Sequence, residues 1–157
     1  MGLNDFFLGK AWNWIFNRPK INIDIGRHGI INKYLDQEGK QGFSEVEVLM
    51  QISNSGNKAI GISKVLIESK NKNYWISSSC YEYKNEWKNH PISSFKLEPE
   101  ETKDIILYSK YNLMSIEKEF IEAEIKIYNT KYKVIKSIPI RLYIGSVYGY
   151  SIEEEKG

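Results

Sequence analysis

Cys80 is the only cysteine, so neither a disulfide framework within the chain nor a cysteine-rich zinc site can form. Histidine is almost as scarce. His28 and His90 stand far apart, each beside Gly or Pro, and read as surface loop residues rather than as ligands of one metal. No stretch approaches the ~18 consecutive apolar residues of a membrane-spanning helix. A secretory signal is not expected either, because Asp5 precedes the first Lys and no A-x-A cleavage pattern follows. The cytoplasm is the expected location.

Catalytic patterns are missing as well. There is no G-x-S-x-G elbow and no Gly-rich phosphate loop ahead of a helical segment. Cys80 falls in a strand-like pattern, where a buried and inert thiol is expected. Glu100 and Glu101 are neighbours on alternating sides of an extended chain, poorly placed to act together. The expectation is a protein that is not an enzyme and needs no cofactor or metal. The alternative is an enzyme whose site assembles from distant residues. A net charge of +2 is too small to point to nucleic acid by itself. Arginine is rare too, 3 residues against 19 Lys, alongside 23 Ile and many Asn. That bias reads as an AT-rich genome, that of a low-GC bacterium, its phage or a mobile element.

What is present is the composition of one folded domain: 157 residues, 41% hydrophobic and 27% charged. After Pro19 the apolar residues alternate. Ile21, Ile23 and Ile25 predict a half-buried strand, and residues 27–42 a long loop with a short strand near Ile30. Val46, Val48, Met50 and Ile52 share a face. The turn "NSGN" then leads into residues 59–69, and the two runs predict a hairpin. Further strands are expected within 74–83, over 103–108, over 120–128 and over 132–144. Pro139 marks the last as an edge or bulged strand. Residues 146–157 are expected to be an acidic, mobile tail. Seven to eight short strands with a turn signal about every ten residues predict an antiparallel sandwich or barrel for residues 19–145.

Three segments carry a resemblance. "QISNSGNKAIGISKVLI", "FKLEPEETKDIIL" and "IEAEIKIYNTKYK" resemble the B–C, D–E and F–G parts of bacterial immunoglobulin-like sandwiches, with their N-x-G-N and L-x-P-G-E turns. Glu100 stands where the second pattern has Gly. The resemblance covers roughly residues 43–144. It implies an all-β, immunoglobulin-like antiparallel sandwich, and it carries no functional residues.

Two sets of side chains could bind a ligand. Lys126, Lys131, Lys133, Lys136 and Arg141 form a run without an acid, interleaved with tyrosines, the composition of a nucleic-acid face. The plainer reading, which we favour, is an edge hairpin that lysine protects from aggregation, so nucleic acid is not the expected partner. Tyr74, Trp75, Tyr81, Tyr83 and Trp87 could stack a sugar or a peptide, although cross-strand aromatic pairs are ordinary in sheets.

The beginning of the chain is the least ordinary part. Residues 4–16, "NDFFLGKAWNWIF", hold two of four Trp and three of six Phe. On a helix, Leu3, Phe7, Ala11 and Trp14 fall in one line, with Phe6, Leu8 and Ile15 beside it; Asn4 or Asp5 can cap the start, and Pro19 stops the end. Burying one such side chain is worth ~1.5–3 kcal/mol. Leaving Leu3, Phe6, Phe7, Leu8, Trp12, Trp14, Ile15 and Phe16 in water therefore forfeits on the order of 10 kcal/mol. A helix this short is also marginal alone. It must dock on its own sandwich, in a membrane interface, or on a protein partner or second copy of the chain. The sequence thus predicts a non-enzymatic binding module, tethered by this helix to a membrane surface, on its inner face, or to a partner.

Overall fold

The computed structural model describes residues 19–35, 41–71, 76, 78–83, 91–112 and 118–149. The helix expected over residues 3–16, and with it Leu3, Phe6, Phe7, Leu8, Trp12, Trp14, Ile15 and Phe16, lies outside them. The described residues form eight strands: β1 (Ile21–Tyr34), β2 (Gly42–Asn54), β3 (Ile60–Ser69), β4 (Ser79–Glu82), β5 (Phe95–Leu97), β6 (Thr102–Asn112), β7 (Phe120–Asn129) and β8 (Val134–Tyr148).

Their order in space is β4-β6-β2-β1-β8-β7-β3-β5. β8 is the seam. Its first part pairs antiparallel with β7, from Val134 opposite Tyr128 to Tyr143 opposite Phe120. Its last part, Ile144–Tyr148, pairs with Ile30–Tyr34 of β1, and that pairing is parallel. The sheet is therefore mixed, where the alternation in the sequence led us to expect a purely antiparallel one. Strand direction at a contact more than a hundred residues apart leaves no trace in local pattern. With β1 to β8 in place, β4-β6-β2-β1 and β3-β7-β8 follow the D-E-B-A and C-F-G order of an immunoglobulin-like sandwich.

The two halves curl so that their inward faces share one core. Val46, Val48, Met50 and Ile52 of β2 and Ile105 and Leu107 of β6 meet Ile62 and Ile67 of β3, Ile121 to Ile127 of β7, and Leu142 of β8. The period-2 alternation in these strands is the direct cause, because only one face of each pleat is apolar.

Three more expectations change. The last strand, expected to end at residue 144 with a tail from 146, runs on to Tyr148, because Asn32–Tyr34 of β1 offer it a ladder. Residues 27–34 are not loop: β1 continues through them after a bulge between Ile25 and His28. The bulge flips the parity, so Ile25 and then Ile30 both point inward and the pattern looks broken. The hairpin expected from residues 43–69 is also not one. β2 pairs with β1 and β6, while β3 pairs with β5 and β7, so the "NSGN" turn carries the chain from one half to the other.

Pro139 behaves as its chemistry requires. The stretch around it pairs only with β7, leaving its other side as an edge.

Candidate functional site

Strand direction decides what comes together at each end. The start of β1, the turns after β2 and before β6, and the β7–β8 hairpin tip all lie at one end. Asn54 organises it. This buried side chain accepts from the Lys20 amide (3.1 Å) and the Gly56 amide (3.0 Å) through Oδ1. Its Nδ2 donates to the carbonyls of Lys58 (2.7 Å) and Leu97 (3.2 Å). Its own backbone donates to the Glu101 carbonyl and accepts from the Glu100 amide. Ser55 closes the lock by donating to the Lys20 carbonyl. The point at which residues 1–18 join the sandwich is thereby fixed.

Beside that point stands the hairpin tip. Asn129 Oδ1 accepts from the amides of Lys131 (2.9 Å) and Lys133 (3.1 Å), an Asx turn that builds the loop. Tyr132 follows with φ 59°, in the left-handed region, and is 73% exposed. Glycine or asparagine is the usual occupant of such a position.

The five basic residues that could have formed a nucleic-acid face are split. Lys126 Nζ is 2.8 Å from Glu68, which raises the lysine's pKa through that hydrogen bond and charge. Arg141 lies 3.8 Å from Glu122 and over the Phe120 ring. Glu124 accepts from Ser137 on the same face. The run is free of acids in sequence, yet its neighbours across the sheet supply them. Lys131, Lys133 and Lys136 are exposed and form no ion pair among the described residues. Lys20 and Lys58, at the same end, also stand exposed and unpaired among the described residues. Sequence reasoning passed over both, since only the strand directions bring them to the tip.

Of the aromatic set, Tyr81 and Tyr83 are described; Tyr74, Trp75 and Trp87 lie outside the described residues. The strand expected over 74–83 is confined to Ser79–Glu82. Tyr81 packs edge-on against Tyr108, with ring centroids 6.4 Å apart. Tyr83 lines a cleft of about 320 Å³ on the outward face of β1, β2 and β6. There Asp24 stands opposite Gln51, and Gln51 opposite Asp104, in one row across three strands. Further along the same outward face, opposite Leu49 and Tyr81, Ile106 is fully buried, while its neighbours Ile105 and Leu107 take the inward positions. A strand's outward polar positions all look alike in sequence, so nothing there marks this row.

The groups with most chemistry are quiet. Burial pushes the Cys80 thiol up to about 12, so a thiolate nucleophile is absent near neutral pH. His28 is exposed on β1, its Nδ1 2.7 Å from the Gly26 carbonyl oxygen. His90 lies outside the described residues. No group of three or more His, Cys, Asp or Glu among the described residues could hold a metal ion. No described helix is long and apolar enough to cross a membrane.

No family model matches the chain, and no curated protein matches it. Among solved structures, it is similar to a FixG-related protein from Vibrio parahaemolyticus at 9% identity and TM-score 0.44, covering 80% of this chain and 95% of that one. It is also similar to the CARDB domain of the PF1109 protein from Pyrococcus furiosus, at 12% identity and TM-score 0.43, over 82% and 90%. An uncharacterized β-sandwich protein from Clostridium difficile 630 matches at 12% identity and TM-score 0.42, over 73% and 91%. All three likenesses are loose.

Proposed function

We propose that this chain is a non-enzymatic binding module in which residues 3–16 hold an immunoglobulin-like sandwich against a membrane surface or a protein partner. One observation carries the reading. A segment with two Trp and three Phe joins, through Pro19 and Lys20, a strand that Asn54 and Ser55 lock in place. An apolar segment fixed to a rigid body transmits position, which is what a tether does. The raised Cys80 pKa speaks against that thiol as a nucleophile. The Lys- and Ile-rich composition supports an origin in an AT-rich bacterium or its mobile elements. In this reading the module sits on the inner face of the membrane.

Removal of residues 1–18 tests this. The expected product is a folded sandwich that is more soluble and no longer floats with liposomes or retains its partner. A truncated protein that unfolds would make the segment part of the core and end the proposal.

A further inference from the structure

We infer that the β7–β8 hairpin tip, Lys131–Tyr132–Lys133, is a second contact to an anionic membrane surface, set beside the first. The inference rests on the tether reading and chooses the membrane version of it.

Direction comes first. Residues 1–18 join the sandwich at Pro19, and β1 then runs away from that end. The tip lies at the same end, because β8 runs parallel to β1 and starts there. A body held at Pro19 by an interfacial segment thus turns this end, and this tip, toward the lipid.

Chemistry comes second. Lys131 and Lys133 project from an exposed turn and have no acidic partner among the described residues; Lys20 and Lys58 stand at the same end in the same condition. Four unpaired ammonium groups suit a surface of lipid phosphates, and each is worth about a fivefold change in binding near an anionic leaflet. Tyr132 lies between two of them, held at φ 59° and 73% exposed. Tyrosine prefers the headgroup depth, with its ring among the lipids and its hydroxyl in water. No turn needs that ring: the hairpin closes through backbone groups and the Asn129 side chain.

Opposing charge is present. Glu98, Glu100 and Glu101 occupy the turn between β5 and β6 at this end, with Glu98 paired to Lys96 at 3.2 Å. That turn follows β5, two strands beyond β7 and roughly 10 Å from the tip by strand spacing, but it is bonded directly to Asn54, which also holds the backbone of Lys20 and Lys58. At the tip this is about one screening length at physiological salt, so the carboxylates offset Lys20 and Lys58 more than Lys131 and Lys133, which keep most of their attraction. They also tilt the contact toward the β7–β8 corner.

The test uses the full chain with two vesicle types, phosphatidylcholine alone and phosphatidylcholine with phosphatidylserine. Lys131→Glu with Lys133→Glu should weaken binding to the anionic vesicles at least about tenfold and leave binding to the neutral ones unchanged. Lys131→Gln with Lys133→Gln, which keeps the turn's backbone hydrogen bonds, should fall between. Tyr132→Ser should weaken both. Parent-like binding by all these variants overturns the tip contact, and the tether stands if removal of residues 1–18 still abolishes flotation. A full chain that ignores both vesicles overturns tip and membrane tether together. Single-stranded DNA bound through Lys131 and Lys133, with no change on vesicles, would make the tip a nucleic-acid face and overturn the inference.

Discussion

Two turns at one end of the sandwich force a bulky residue into the left-handed region, and they do so for different reasons. Glu100 has φ 65° in the turn that leads into β6, and Tyr132 has φ 59° in the β7–β8 tip. The first is held by the scaffold. Its amide donates to the Asn54 carbonyl at 2.7 Å, and Glu101 bonds back to Glu98 through both amide and carboxylate. Among the described residues the second is held by its own loop, through Asn129. A Gly would fit either position better by about 1 kcal/mol. At Glu100 the body of the protein over-determines the strained conformation. At Tyr132 nothing among the described residues asks for an aromatic ring, which is the observation the proposed surface contact would account for.

The contrast can be broken. Asn54→Ala should cost the most, on the order of 3 kcal/mol in chemical denaturation, since it removes the partner of one buried and three part-buried backbone groups at once. A near-neutral result would remove the scaffold from the explanation of Glu100. Asn129→Ala should cost about 1 kcal/mol, because its partners are exposed and water replaces the lost bonds. If it matched Asn54→Ala, the two turns would not differ in kind. Glu100→Gly and Tyr132→Gly should each raise stability by about 0.5–1 kcal/mol, read as a higher thermal midpoint. A loss of stability in Tyr132→Gly would show the ring to be structural. Lys126→Ala should move the midpoint least, since its bond to Glu68 is only half-buried and water can replace it.

Much of the fold was legible. Val46 to Ile52 and Ile121 to Ile127 alternate in sequence and are buried as the alternation implies. The L-x-P-E-E segment turns where the resemblance implied, with Glu100 in the conformation that the Gly of the pattern would take. What escaped has identifiable causes. One bulge near Gly26 reversed the parity of β1 and hid half of that strand. The "NSGN" composition announces a turn, but the same residues serve a hairpin and a corner between sheets. The destination depends on which strands β2 and β3 later find. The basic run was legible as residues and not as a surface, because Glu68 and Glu122 approach it from sequence neighbours on other strands or from before the run begins. Lys20 and Lys58 could be placed at the tip only once the strand directions were known.

The parallel ladder between Ile30–Tyr34 and Ile144–Tyr148 has a mechanical meaning. A load applied at Pro19 and opposed near Gly149 draws β1 and β8 past each other along their length. Rungs set side by side must then give way together, whereas a hairpin pulled at its open end gives way one rung at a time. A body anchored at one end and burdened at the other is thus closed by the arrangement of strands that best resists being drawn out.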